Sequence, residues 1–155
     1  MQDELARSYP FSTQFSGKRL SMLLSTAISM RGVPLILSDY SVIPFQSLRA
    51  LEALMKAAVL DACGERWENF GGKFDSNGNF QYQLKADTEQ AINCPVTCSL
   101  LNECYPHYRK YRHGMFHADG IDDAIVVIPD RVQAINILDT TMDMIERNCK
   151  ALSEK

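Results

Sequence analysis

From Asp130 onward the chain carries Val132, Ile135, Leu138, Met142, Ile145, Cys149 and Leu152, apolar positions that recur every three or four residues. Such a stripe covers one face of a helix, and a helix of that length is stable only when other helices cover the face. Asp130 is the natural N-cap. Two further stripes answer the demand. Residues 16–30 place Leu20, Leu23, Leu24, Ala27 and Ile28 on one side before Gly32 and Pro34 end the pattern. Residues 44–64 place Leu48, Leu51, Met55, Ala58 or Val59, and Ala62 on another, with Pro44 near the start. Three such faces bury one another in a bundle, so the predicted fold is mainly α.

Shorter elements fill the rest. Asp87 or Thr88 caps a helix toward Asn93, Pro95 restarts it, and Pro106 begins another segment that runs to about Ala118 before Asp119 and Gly120 break the chain. Phe74, Phe80, Tyr82 and Leu84 flank Ser76-Asn77-Gly78-Asn79, a small β-hairpin signal because Asn-Gly tolerates positive φ at a tight turn. Val33–Leu37 is expected as a short strand and Ala124–Ile128 as a further β-run.

With 155 residues, 46% of them apolar and 23% charged, residues 1–155 form a single domain able to bury its own core. The aliphatic run Ala124–Ile128 is far below the roughly 20 residues that span a bilayer, and Asp3 and Glu4 stand where a secretory leader would be basic. No membrane association and a cytoplasmic location are expected. Cysteines at 63, 94, 98, 104 and 149 are odd in number and lack framework spacing, which points to reduced and mostly buried thiols. A net charge of −3 argues against coating of DNA by bulk electrostatics, and no Gly-rich phosphate loop is present.

A local basic patch does exist. Tyr105-Pro106-His107-Tyr108-Arg109-Lys110-Tyr111-Arg112-His113-Gly114-Met115-Phe116-His117 holds all three histidines and no carboxylate. Arg109, Lys110 and His113 are candidate substrate contacts, because cations neutralise phosphates and aromatic rings stack on unpaired bases, as single-stranded RNA requires. The alternative for Tyr105, Tyr108, Tyr111 and Met115 is the buried stripe of this helix. On an ideal helix Arg112 and His117 are offset by about 140° around the axis and about 7.5 Å along it. A second copy of the helix alongside would bring both into one groove, so a homodimer is expected. RNA cleavage needs a base for the 2′-OH, an acid for the leaving 5′-oxygen and donors for the phosphorus oxygens. Imidazole and guanidinium can supply these, with a metal optional. On the earlier helix, Arg49 and Glu52 lie beside the apolar stripe; read structurally, they form an exposed ion pair, with Glu52–Lys56 as another.

Asp39-Tyr40-Ser41 through Arg49-Ala50-Leu51-Glu52, and Arg112-His113-Gly114-Met115-Phe116-His117, resemble the C-terminal HEPN ribonuclease domain of the RnlA/LsoA (RNase LS) toxin family. The likeness extends roughly from Ser8 to Leu152. It implies a HEPN-like helical bundle with Arg112 and His117 as the catalytic pair, completed by Arg49 and Glu52. It also implies a metal-independent endoribonuclease toxin, active without a cofactor as a homodimer. Such a toxin cleaves messenger RNA in antiviral defence and is inhibited by a cognate or phage-encoded antitoxin bound to this domain. The wider superfamily often has Asn or Asp after the motif arginine, where this chain has His113, so His113 and His117 are both candidates to move the proton. Family toxins are longer at their N-terminal side, which suits a domain excised from a longer toxin.

Two other classes compete. A non-enzymatic docking domain would use the basic patch against an acidic partner. A metal site would draw on Cys94, Cys98, Cys104 and His107, or on His113 with His117, though neither has a common zinc spacing.

Overall fold

The computed structural model describes residues 6–15, 17–34, 36–64, 69–113 and 127–154. Their order is α1 (Pro10–Phe15), α2 (Lys18–Gly32), α3 (Val42–Cys63), β1 (Phe70–Phe74), β2 (Phe80–Leu84), α4 (Ala86–Ile92), α5 (Pro95–Tyr108), a π-helical turn (Arg109–His113) and α6 (Arg131–Ser153). The fold is a helical bundle with one antiparallel hairpin, as the stripes require.

The centre is the pair α3 and α6. Leu51 and Met55 of α3 share one core with Leu138, Met142 and Ile145 of α6, all essentially inaccessible to solvent. Leu24 and Ala27 of α2 and Leu101 and Cys104 of α5 close the same core. Burial of each large side chain contributes about 1.5–3 kcal/mol. Several polar groups inside are paired across elements. Asn148 donates to the carbonyl of Met144 at 2.8 Å and to Cys104 Sγ at 3.2 Å. The Glu146 carboxylate reaches from α6 to the start of α1, where it accepts the N–H groups of Phe11 at 2.8 Å and Ser12 at 2.7 Å as well as the Ser12 hydroxyl. Asp130 caps α6 as expected, accepting from Val132 N–H at 3.0 Å. The thiols are reduced, with Cys98, Cys104 and Cys149 buried and Cys63 and Cys94 half-buried.

The hairpin holds the register Phe70↔Leu84 through Phe74↔Phe80. Its turn differs from the predicted one: Gly78 alone is left-handed, with φ +79°, and Asn77 is not. Asp75 organises the turn instead, accepting from the N–H groups of Asn77 and Asn79 through its carboxylate and from Gly78 N–H through its carbonyl. The side chain of Asn102 on α5 accepts Leu84 N–H at 2.6 Å and ties β2 to the bundle.

Several expectations are corrected. Residues 33, 34, 36 and 37 form no strand; the short helix-to-helix link is held otherwise. Val33 N–H returns to Met30 O, Arg131 donates to the carbonyls of Arg31 and Val33, and Ile36 is 98% exposed, leaving no apolar face for a sheet. Of the 124–128 run only Val127 and Ile128 are described, and neither is in a strand. Ile128 instead bridges to the loop before α3, accepting from Tyr40 N–H at 2.8 Å and donating to Asp39 at 3.0 Å. Pro106 lies inside α5 rather than starting a segment, and α4 begins at Ala86, ahead of the expected caps Asp87 and Thr88. Val132 and Ala62 are exposed, near the ends of α6 and α3 where the neighbouring helices no longer cover them. The segment expected to reach Ala118, the Asp119-Gly120 break and Met115 lie outside the described residues. No helix among the described residues is long and apolar enough to cross a membrane.

Candidate functional site

The basic segment is where the helix changes geometry. Pro106 has no N–H to return to the preceding turn, and beyond Tyr108 the hydrogen bonding widens into the π turn Arg109–His113. On an ideal α-helix Arg109 and Arg112 would be about 60° apart around the axis. The wider turn spreads them further, and they serve different neighbours. The Arg109 guanidinium stacks 4.3 Å over the Tyr82 ring of the hairpin, whereas that of Arg112 faces α3. The offset expected between Arg112 and His117 runs through residues 114–117, which lie outside the described residues.

On α3, Glu52 is the meeting point. Its Oε1 pairs with Lys56 Nζ at 2.8 Å, one turn along, and its Oε2 lies 3.7 Å from Arg112 Nε. The expected Glu52–Lys56 pair is present, and the carboxylate's second cation is Arg112 rather than Arg49. Arg49 instead lies over Phe45, 5.7 Å from the ring centroid, and Arg112 approaches the same ring at 5.6 Å. Two guanidiniums thus converge on one aromatic platform beside a carboxylate. Each contact of this kind is worth about 0.5–1 kcal/mol where partly exposed.

Tyr108 completes the cluster from α5. Burial, then the Glu52 charge and the hydrogen bond its hydroxyl gives Glu52, push the phenol up to about 12 against the opposing pull of Arg112. The hydroxyl therefore stays a neutral donor to the carboxylate. Tyr105, Tyr108 and Tyr111 are half-buried and all pack against the core. Tyr105 also stacks on Phe70 of the hairpin, with centroids 3.8 Å apart.

His107 belongs to structure, not to the cationic patch. Its Nε2 lies 2.8 Å from Thr141 Oγ1, and the Thr141 hydroxyl itself donates to Ile137 O at 2.6 Å. The imidazole must then donate through Nε2. Burial, aided by Lys110, pulls its pKa down to about 4, so the ring is neutral at physiological pH. Cys104 accepts from Asn148, Cys98 donates to the carbonyl of Glu89, and Cys94 accepts from Thr97, so the four potential soft ligands are each engaged apart from one another. Among the described residues no group of three His, Cys, Asp or Glu is placed to hold a metal.

Of the residues singled out in the sequence, Arg49, Glu52 and Arg112 come together. Arg109 and Lys110 lie on the hairpin side, Lys110 with its ammonium 4.9 Å over the Tyr111 ring. His117 and the side chain of His113 lie outside what is described. Sequence reasoning missed Phe45 and the role of Tyr108. The signal for Phe45 was present in its spacing of one helical turn from Arg49.

Residues 1–119 match the family model described as RNase LS, bacterial toxin DBD domain. Over 147 residues the chain is 26% identical to the mRNA endoribonuclease LsoA of Escherichia coli O157:H7, covering 94% of this chain and 42% of that protein. The fold superposes with a TM-score of 0.75 on the Escherichia coli toxin LsoA, crystallised in complex with the T4 phage antitoxin Dmd. That match has 25% identity and covers 97% of this chain and 59% of the other.

Proposed function

The chain belongs to the RNase LS bacterial toxin DBD-domain family, and on that premise we propose that it is the HEPN-type ribonuclease portion of such a toxin, cutting messenger RNA in the cytoplasm. The observation that carries this reading is the convergence of Arg49, Glu52 and Arg112 around Phe45, from two elements distant in sequence. In the proposed reaction an imidazole of His117 or His113 takes the proton from a 2′-OH. The freed oxygen attacks the adjacent phosphorus, the 5′-oxygen leaves with a proton, and a 2′,3′-cyclic phosphate and a 5′-OH result. Arg112 supplies forked donors to the phosphoryl oxygens, and Glu52 holds Arg112 in place and orients the proton carrier. No metal is needed for these steps. Arg49 adds a second cation, and Arg109, Lys110 and His113 bind the flanking chain. Two copies of the motif in a homodimer would complete the site.

A second role is supported by the LsoA–Dmd complex: this domain also receives an antitoxin, cognate or phage-encoded, which ends cleavage in the context of antiviral defence. The test of the enzymatic reading is incubation of the purified chain with end-labelled RNA in EDTA. Cyclic phosphate ends, lost in Arg112→Ala, are expected. A folded chain that yields none, alone or as a dimer, overturns it and leaves a docking domain.

A further inference from the structure

The hairpin presents an aromatic face that the bundle only partly uses. Alternate residues of a strand share a face, so Phe80, Tyr82 and Leu84 of β2 lie with their partners Phe74, Gly72 and Phe70 of β1. At the inner end Phe70 stacks on Tyr105 and Leu84 is buried. At the outer end Phe74 is 67% exposed and Phe80 52%, their rings edge to face at 5.3 Å. The Phe80 ring also lies across Gly72, where any Cβ would overlap it, and meets Tyr82 edge to face at 5.0 Å. Between this face and α5 runs a groove of about 760 Å³ bordered by Phe80, Tyr82, Pro106, Arg109 and Lys110.

The charge of that groove is positive in effect. Glu103 on its wall is held by Arg147 in a forked pair at 2.6 and 2.8 Å, which keeps its carboxyl below the usual range and its charge compensated. Arg109 and Lys110 then face the groove as cations, with the Arg109 plane already stacked on Tyr82. Exposed rings beside cations match a single strand, whose bases stack on π-faces and guanidinium planes while its phosphates seek positive charge.

We propose that the groove between β2 and α5 is a subsite for an unpaired stretch of the RNA substrate, with Phe80 as the base-stacking platform, Phe74 extending it beyond the groove's rim, and Arg109 and Lys110 as the phosphate contacts. It adjoins the cluster described above, because neighbouring rings run from Tyr82 to Tyr105 at 5.7 Å and on to Tyr108 at 6.2 Å, whose hydroxyl meets Glu52. An RNA segment held in the groove would leave it toward Arg112. The subsite rests on the ribonuclease reading for its ligand, but it can fail separately.

The test uses two measurements on the 155-residue chain. Binding of a single-stranded RNA carrying 2-aminopurine is read by fluorescence in an Arg112→Ala background, and cleavage kinetics are read in the unsubstituted one. Phe74→Ala with Phe80→Ala should weaken binding about tenfold or more, from the loss of base stacking, and raise KM in proportion while kcat changes little. Phe80→Trp with Phe74 intact should retain binding, showing that a ring and not the fold is needed. If the chain cleaves RNA but the double variant binds and cleaves as well as wild type, the subsite is wrong and the ribonuclease reading stands. If the chain binds RNA through these rings without cutting it, the subsite stands and the catalytic assignment falls. If it neither binds nor cuts, both fall. Loss of antitoxin binding in the double variant with RNA binding unchanged would reassign the face to a protein partner.

Discussion

Arg112 and Glu52 meet at 3.7 Å although one sits on a π turn and the other in the middle of α3. The approach holds the guanidinium at the margin of the bundle, with its charge directed beside Phe45. Arg112→Ala is expected to reduce RNA cleavage by about a hundredfold or more, the scale of losing a transition-state donor, with the helical circular dichroism unchanged. Arg112→Lys should also be poor, because a point charge replaces a fork. Cleavage of end-labelled RNA checks both.

Glu52→Gln keeps the shape and removes the charge. Cleavage should fall more than thermal stability, since the Lys56 pair is partly exposed and contributes about 0.3–0.5 kcal/mol. The same substitution should lower the Tyr108 pKa from about 12 toward 10, because a carboxylate that raised it is gone while burial remains. NMR titration of ring-labelled tyrosine reads this shift, and an unmoved Tyr108 would separate it from Glu52.

His107 gives an acid-sensitive contribution to stability. Its pKa is depressed to about 4 in the folded chain against about 6.5 unfolded, so between those values the unfolded state binds the extra proton. Stability present above pH 6.5 should thus be lost as pH falls toward 4, by about 2 kcal/mol after allowance for partial exposure. His107→Gln keeps a donor for Thr141 and does not titrate. Urea unfolding at pH 7 and 4.5 should show a smaller acid loss for the variant.

The clasp between α6 and α1 is the remaining target. Glu146→Gln offers one acceptor oxygen where two now serve Phe11 and Ser12. A cost of about 1–3 kcal/mol is expected from the donor left unsatisfied, measured by denaturant unfolding.

The three long helices were legible because apolar periodicity is a local property. Leu48, Leu51 and Met55, or Leu138, Met142 and Ile145, announce a buried face wherever the partner lies. The fate of Val132 was not, because exposure near a helix end depends on where the neighbouring helix stops. Residues 33–37 carry strand propensity, yet 33, 34, 36 and 37 form no strand, and Arg131, nearly a hundred residues on, takes the carbonyls of Val33 and of Arg31 just before it. The candidate site divides the same way. Arg49, Glu52 and Arg112 could be named from residue types and family resemblance, but their shared Phe45 is a tertiary contact, and Pro106 suggested a helix start where the chain continues through a π turn.

That turn makes segment length a switch of direction. Removing one residue between Arg109 and Arg112 would let the turn close to 3.6 residues per turn and rotate Arg112 by roughly 45° about the axis. Arg112 could then be present in the gene and absent from the neighbourhood of Glu52. Homologous sequences should accordingly tolerate exchange of side chains in this stretch more readily than a gain or loss of one residue, and an alignment that slides a gap across it would pair arginines facing different partners.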